Sequence, residues 1–210
     1  MTFLERPPSK DVFKKLIKAK VVDYWEDKLR MEASFLPSLQ YLHPGFLSLS
    51  SPHRILTSAG SKSYEVAKAR IQLLFLASQY PCKQYTRHWS PQNPNGFCPF
   101  SPCTDEMIVE TPQHVLLHCP QYTSTREYLF QLCLNIESPV SHQLVSSILF
   151  SGDPNKLMQF LVDCSALPEV ISQVQLHGEE LYSDLFYLTR TWCFSVHKQR
   201  MKKLGKWNFR

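Results

Sequence analysis

The densest chemical signal in the sequence is a group of three cysteines and one histidine spread over 22 residues: Cys98, Cys103, His114 and Cys119. Three thiolates and one imidazole form the closed tetrahedral set that holds structural zinc, with no coordination position left for a catalytic water. The spacing C-x4-C-x10-H-x4-C is not a common finger pattern, and ordinary buried cysteines are the alternative. We predict one structural Zn²⁺ here, because four candidate ligands fall so close together between turn-forming residues.

The residues around these ligands predict a loop followed by a short helix. Cys98 and Cys103 lie on a loop after Gly96, in a segment rich in turn formers. Thr111 is a good helix N-cap and Pro112 suits the first helical position, so the segment that carries His114 and Cys119 should be a helix ended by Pro120. The loop pair and the helix pair can therefore converge on one ion.

His118 is an alternative fourth ligand, because it lies one helical turn after His114 on the same face. We favour His114, since His118 directly precedes Cys119 and adjacent helical residues point about 100° apart. The other cysteines lie within or beside apolar helical patterns and are expected to be core residues. They are Cys82, Cys133, Cys164 and Cys193.

Helical periodicity dominates the rest of the chain and predicts an all-α, irregular helical domain with one zinc-braced loop-helix module. A first helix begins after Ser9, and its apolar positions are Phe13, Leu16, Ile17, Val21, Tyr24 and Leu29. Further helices are expected from Ser61 or Ser63 to Pro81, and over 125–135, 142–150, 153–164, 168–175 and 179–204. The last has a stripe of Leu181, Leu185, Leu188, Trp192 and Val196. We divide the chain into 1–60, an N-terminal helix and irregular connector, 61–135, a helix plus the zinc module, and 136–210, a helical segment with a basic tail.

Composition excludes several classes of protein. The 210 residues are 43% hydrophobic, enough for a core, but the longest apolar runs are far below the roughly 20 residues of a membrane span. No signal peptide is evident, so we expect a nuclear or cytoplasmic protein whose seven cysteines are not a disulfide framework. The sequence has no Gly-rich phosphate loop, nucleophile elbow or open metal site, so we expect neither an enzyme nor a small-molecule substrate.

Positive charge is concentrated in residues 185–210, which hold seven of the 23 Lys and Arg residues and no acidic residue. Such a segment suits a polyanion, here RNA or DNA, although a solvated helix end is the plain alternative. We predict that aromatic residues Trp207 or Phe209 stack on unpaired bases. The predicted backbone contacts are Arg190, Lys198, Arg200, Lys202, Lys203 and Lys206.

A second aromatic and basic segment lies in the loop between Pro81 and Asn95, which carries Tyr85, Arg87, His88 and Trp89. Exposed aromatics beside basic residues are able to contact nucleic acid. We nevertheless expect Trp89 to pack against the neighbouring helix, because tryptophan is usually largely buried.

Residues 67–126 resemble the cysteine-histidine region that follows the reverse transcriptase domain in non-LTR (LINE-type) retrotransposon polyproteins. The phrases that carry the resemblance are KARIQLLFLASQY, RHWSPQNPNGFC and ETPQHVLLHCPQYTSTR. The positions that match its signature are Glu110, Thr111, His114, Leu116, Leu117, Cys119, Pro120 and Arg126. The resemblance implies the same four zinc ligands and a segment that holds element RNA or target DNA. The chain has no Asp-Asp dipeptide, so the polymerase itself would lie elsewhere.

Together these observations predict a non-enzymatic nucleic-acid-binding zinc module, either a fragment or a host derivative of such a polyprotein. The alternative is a zinc-stabilised helical scaffold that binds other proteins and no nucleic acid. Without the basic tail, residues 1–184 hold 16 bases and 18 acids, which is consistent with this alternative.

Overall fold

A computed structural model describes residues 9–49, 51–89, 91 and 93–206. Within these residues the protein is all-α, as predicted, and the only β-type pairing among them is an isolated bridge between Phe97 and Val109. None of the described helices combines the length and the apolar character needed to cross a membrane.

The described residues form a series of α-helices joined by short turns. The helices are α1 (Lys10–Ser34), α2 (Arg54–Thr57), α3 (Ser63–Leu76), α4 (Lys83–Thr86), α5 (Thr123–Leu134), α6 (Pro139–Leu149), α7 (Pro154–Asp163), α8 (Pro168–His177) and α9 (Glu180–Lys203). Between them lie 3-10 turns at Pro37–Leu39, Pro44–Phe46, Arg87–Trp89, Pro120–Tyr122 and Cys164–Ala166, and a π-helical turn at His114–His118. The helices predicted from periodicity are present, with small shifts at their ends.

Several helices begin where the sequence offers a proline for the first turn. Pro139, Pro154 and Pro168 each start a helix, a position where the missing N–H costs nothing. Before Pro154, the Asp153 carboxylate accepts hydrogen bonds from the backbone N–H groups of Asn155 and Lys156, at 2.9 and 3.3 Å. Asp153 is therefore the N-cap of α7.

Helix α9 lies at the centre of the packed helices. It packs against α3, α5, α6, α7 and α8. Its predicted apolar stripe, from Leu181 to Val196, is buried throughout, and Trp192 is among the largest fully buried side chains. The core is one continuous cluster around this helix, so the predicted segments 61–135 and 136–210 share it.

Helix α1 differs from the others because much of its apolar surface is exposed. Its second half packs on the connector that follows it, where Arg30 donates to the Leu47 carbonyl and Glu26 accepts from Leu49 N at 2.8 Å. The predicted apolar positions, including Phe13, Ile17 and Tyr24, remain exposed. The sequence therefore predicts the helix but not its lack of a covering partner among the described residues.

Candidate metal centre and basic surface

The four predicted ligands come together in a buried cluster. The ligand atoms of Cys98, Cys103, His114 and Cys119 all lie within 4.8 Å of one another. The Sγ atoms of Cys98 and Cys119 are 3.9 Å apart, too far for a disulfide bond, and every described cysteine is a free thiol. Two sulfurs bound to one tetrahedral zinc are about 3.8 Å apart, given Zn–S bonds of about 2.3 Å. The group can therefore hold a metal ion.

The two loop cysteines are positioned by a short hairpin closed at the Phe97–Val109 bridge. The backbone N–H of Cys98 donates to the Ile108 carbonyl at 2.8 Å, and the N–H of Ile108 donates to the Cys103 carbonyl at 2.9 Å. These bonds fold the loop back so that both thiols face the same side.

Gly96 is required where this hairpin crosses α4. Its φ of +72° lies in the left-handed region, and a Cβ there would be 3.0 Å from both the Gln84 Cα and the Lys83 carbonyl oxygen. Both neighbours are backbone atoms and cannot turn aside. The glycine lets the hairpin lie directly on α4.

The helical pair of ligands is positioned by the π-helical turn. Thr111 Oγ1 accepts a hydrogen bond from the N–H of His114 at 2.9 Å, which confirms the predicted cap. The N–H of Cys119 then donates to the His114 carbonyl at 2.7 Å, an i→i+5 bond. Because a π turn holds more residues than an α turn, residues five apart approach the same face. This brings His114 and Cys119 together, which the predicted regular α-helix would not do as well.

The choice between the two histidines is decided by burial and position. His114 is buried and belongs to the cluster, and its Nε2 has no hydrogen-bond partner among the described residues. His118 is exposed and lies outside the cluster. A buried imidazole nitrogen without a partner is costly, and a metal ion would satisfy it.

The three thiols of the cluster differ in pKa. A hydrogen bond with the Cys98 thiol, together with His114, lowers the pKa of Cys119 to about 4. The same hydrogen bond and burial raise the pKa of Cys98, and burial raises that of Cys103. One thiolate is thus favoured without metal, while ionising all three would crowd like charges in a buried space unless a cation neutralised them.

The remaining cysteines are core residues, as predicted. Cys82, Cys133, Cys164 and Cys193 are buried and lie outside the metal-binding group. Burial raises the pKa of all four, to about 12 for Cys133. They are therefore poor nucleophiles and poor metal ligands.

A buried ion pair between Glu110 and Arg200 connects the hairpin that carries Cys98 and Cys103 to α9. Because of this pair, the prediction that Arg200 contacts nucleic acid is wrong. Arg200 donates from Nε to Glu110 Oε1 at 3.1 Å and from Nη2 to Glu110 Oε2 at 2.9 Å. Glu110 Oε2 also accepts from the Lys83 N–H at 2.7 Å, and Arg200 donates to the Pro81 carbonyl. Because both side chains are at most 3% exposed, Arg200 fixes the fold and cannot reach a phosphate.

Arg190 is a second wrong prediction of the same kind. It is buried, donates from Nη1 to Ser58 Oγ at 2.6 Å and pairs through Nη2 with Glu65 Oε2 at 3.5 Å. It lies on the face of α9 that meets α3. Its charge is neutralised inside the body, so it is no surface contact.

The four predicted lysines remain exposed and define what we call the lysine surface: Lys198, Lys202, Lys203 and Lys206. Lys203 Nζ donates to Gln121 Oε1 at 2.9 Å, and Gln121 in turn donates to the carbonyl of Ser101 in the metal loop. The lysine surface thus begins beside the metal centre. Trp207 and Phe209, predicted to stack on bases, lie outside the described residues.

Trp89 is not packed against the neighbouring helix, so that prediction is wrong. Its side chain is 82% exposed, and Arg87 and His88 beside it are exposed as well. The 3-10 turn Arg87–Trp89 continues from α4 and presents its side chains to solvent. An exposed indole next to an arginine can stack on a nucleic-acid base.

Comparisons with known proteins found no matching family model, curated protein or solved structure. Two features of the chain itself bear most directly on its function: the buried Cys/His cluster and the exposed lysines that adjoin it.

Proposed function

We propose that Cys98, Cys103, His114 and Cys119 bind one Zn²⁺ and that this site is structural. The observation that carries the proposal is the convergence of four ligand atoms within 4.8 Å. Three thiolates and an imidazole favour zinc over harder ions, and they fill a tetrahedral site without leaving a position for substrate. The role of the site is to hold the hairpin against the π turn, and the protein is not an enzyme.

The metal proposal is tested by measuring the zinc content of purified protein. We expect one zinc per chain, lost in Cys98→Ser and in Cys119→Ser. Cys133→Ser is the matched control, because Cys133 is also buried but lies outside the cluster. Loss of zinc should locally unfold the hairpin, which has little apolar content of its own. Stoichiometric zinc in both ligand variants would contradict the assignment.

We further propose that the module binds RNA or DNA through the lysine surface. Four exposed lysines lie in a segment without acidic residues, so the segment itself carries no charge that repels a phosphate backbone. Exposed Trp89 with Arg87 adds a stacking position, which favours single strands. The resemblance of residues 67–126 to the LINE-type cysteine-histidine region supports the same function, a fragment or host derivative of such a polyprotein, in the nucleus or cytoplasm.

Point substitutions are the suitable test, because deleting 185–210 would remove much of the buried stripe of α9. The variant Lys198→Ala, Lys202→Ala, Lys203→Ala is compared with the parent chain by fluorescence anisotropy at two salt concentrations. Each lost phosphate contact should lower the slope of log affinity against log salt by about 0.7 to 0.9, from a value near 3 for four contacts. The matched control removes three charges from α1, through Lys14→Ala, Lys15→Ala and Lys18→Ala, all at exposed positions.

The control variant should bind as tightly as the parent, and the lysine-surface variant should lose most of its affinity. Trp89→Ala should weaken single-strand binding about 5- to 160-fold, the effect of one stacked base, while duplex binding stays the same. Equal binding by the parent and the lysine-surface variant would rule out this surface.

A protein-interaction scaffold is the second candidate, and the exposed apolar positions of α1 favour it. A helix that leaves Phe13, Ile17 and Tyr24 in solvent has an apolar face suited to another protein. If the zinc-loaded chain binds neither RNA nor DNA at physiological salt, this candidate replaces nucleic-acid binding.

A further inference from the structure

A cavity of about 700 Å³ opens between the π turn, α5, the α6–α7 connection and α9. Its apolar wall includes Leu117, Phe130, Leu149 and Trp192. This volume lies in the range of small-molecule sites, which combine an apolar wall with a few polar groups. None of the lysine-surface residues lines it, so it is a separate feature from the proposed nucleic-acid surface.

Arg126 is the cation in the wall of this cavity. Its Nη2 donates to Thr123 Oγ1 at 3.2 Å, while its Nη1 is buried and has no hydrogen-bond partner among the described residues. Arg126 also forms no ion pair with a carboxylate in the described part of the chain. Burial lowers the pKa of Arg126, while the nearby Cys119 and Glu127 charges act in the opposite direction. A buried guanidinium nitrogen without an acceptor is costly, and an anion would supply that acceptor.

Neither of the two carboxylates in the wall is hydrogen-bonded to Arg126. Asp153 accepts hydrogen bonds from the first N–H groups of α7 and serves as its cap. Glu127 is exposed and follows Arg126 on α5, where adjacent side chains point about 100° apart. These two negative charges would repel a polyanion, but they disfavour a ligand with one anionic head and an apolar body much less.

We propose that this cavity binds a small organic anion, with a carboxylate or phosphate head on Arg126 and an apolar or aromatic body against Phe130, Leu149 and Trp192. The planar guanidinium suits both heads, because each presents two oxygens that accept parallel N–H bonds. The site adjoins the proposed zinc ligands, because Leu117 and His118 in its wall belong to the turn that carries His114, and the Cys119 charge acts on Arg126. Zinc content is therefore measured in every variant.

The test uses three probes with the same ring: 2-naphthoate, 2-naphthyl phosphate and the neutral 2-naphthylmethanol. Binding to the zinc-loaded full chain is measured by isothermal titration calorimetry. We expect at least one anion to bind about tenfold or more tightly than the alcohol, the effect of one charge-assisted hydrogen-bonded pair. Comparing the two anions shows which head group the site prefers.

Substitutions test separately the contacts of the anionic head group and those of the naphthyl ring. Arg126→Gln should reduce anion affinity to that of the alcohol and leave the alcohol unchanged, whereas Glu127→Gln should tighten anion binding by removing repulsion. Gln131→Trp, at an exposed position in the wall, should weaken all three probes by filling the cavity. Lys14→Ala, at an exposed position on α1 outside the cavity, is the control and should change none of them.

Three results would overturn the proposal: no binding of either anion at millimolar concentration, equal affinity for the alcohol and both anions, or full anion affinity in Arg126→Gln. If Arg126→Gln does not fold, the ratio of anion to alcohol affinity in the parent and in Glu127→Gln decides, since both keep the arginine. In that case the site is rejected if Glu127→Gln leaves the anion affinity unchanged and the anions bind no more tightly than the alcohol.

Discussion

Substituting Glu110 by glutamine should destabilise the fold strongly, although glutamine preserves the shape of the side chain. Glu110 is the partner of Arg200, and both side chains are at most 3% exposed. Glutamine removes the negative charge and replaces one acceptor oxygen with a donor, so it leaves a buried guanidinium without a counter-ion. It also disturbs the acceptor of the Lys83 N–H.

The expected loss follows from the burial of the pair. Breaking a buried ion pair by removing one partner costs about 3–5 kcal/mol. We expect about 3 kcal/mol for Glu110→Gln, at the low end, because the amide oxygen can still accept one hydrogen bond. Glu179→Gln is the matched control, since Glu179 pairs with Arg54 in solvent and should contribute less than about 1 kcal/mol.

Urea unfolding of the zinc-saturated protein, followed by circular dichroism, measures both losses. A double variant, Glu110→Gln with Arg200→Met, should recover part of the stability, because it removes the unpaired charge along with its partner. Recovery will be incomplete, since the Pro81 carbonyl also loses its donor. A loss for Glu110→Gln no larger than that for Glu179→Gln would refute the assignment of Arg200 to a structural pair.

Three further predictions concern single side chains. Gly96→Ala should lower the free energy of unfolding by about 1–2 kcal/mol because of its left-handed backbone, and by a further amount because the new Cβ meets α4. Gly60→Ala is the control: nothing lies within 4 Å of its Cβ, so the same urea assay should show only the backbone contribution. His118→Ala should retain one zinc per chain and His114→Ala should not; the reverse result by metal analysis would exchange their roles. Burial lowers the pKa of His197 from 6.5 to about 4, so the unfolded chain binds this proton first and stability should fall as the pH drops from about 6.5 towards 4. His197→Gln should flatten that part of the urea-derived stability curve, and an unchanged curve would contradict the cause.

The cysteine-histidine cluster was largely predictable because it depends on local features. Residue type and spacing selected its four members, and Thr111 with Pro112 marked the start of the turn that carries His114. The π-helical form of that turn was not predictable, since periodicity alone does not distinguish an i→i+5 bond from an i→i+4 bond. The apolar stripe of α9 was predictable for the same reason as the ligands, because its signal lies within one segment.

The errors concern side chains whose partners are distant in sequence. Arg190 and Arg200 resemble solvent-exposed basic residues until α9 is packed, and the partner of Arg200 lies 90 residues earlier in the chain. Trp89 was placed by the usual burial of its residue type, but its turn ends at the surface. These outcomes depend on tertiary packing, which the local sequence pattern does not reveal.

The central position of α9 also determines when the helical core can form during folding. It is the last of the described helices in the chain, yet it packs against helices from α3 onward. During synthesis the earlier helices emerge without the surface that buries them, and the contacts that close the body join distant parts of the chain. Such non-local closure slows folding and prolongs the exposure of apolar surface. A nascent chain that ends before Trp192 would therefore expose apolar surface that α9 otherwise buries.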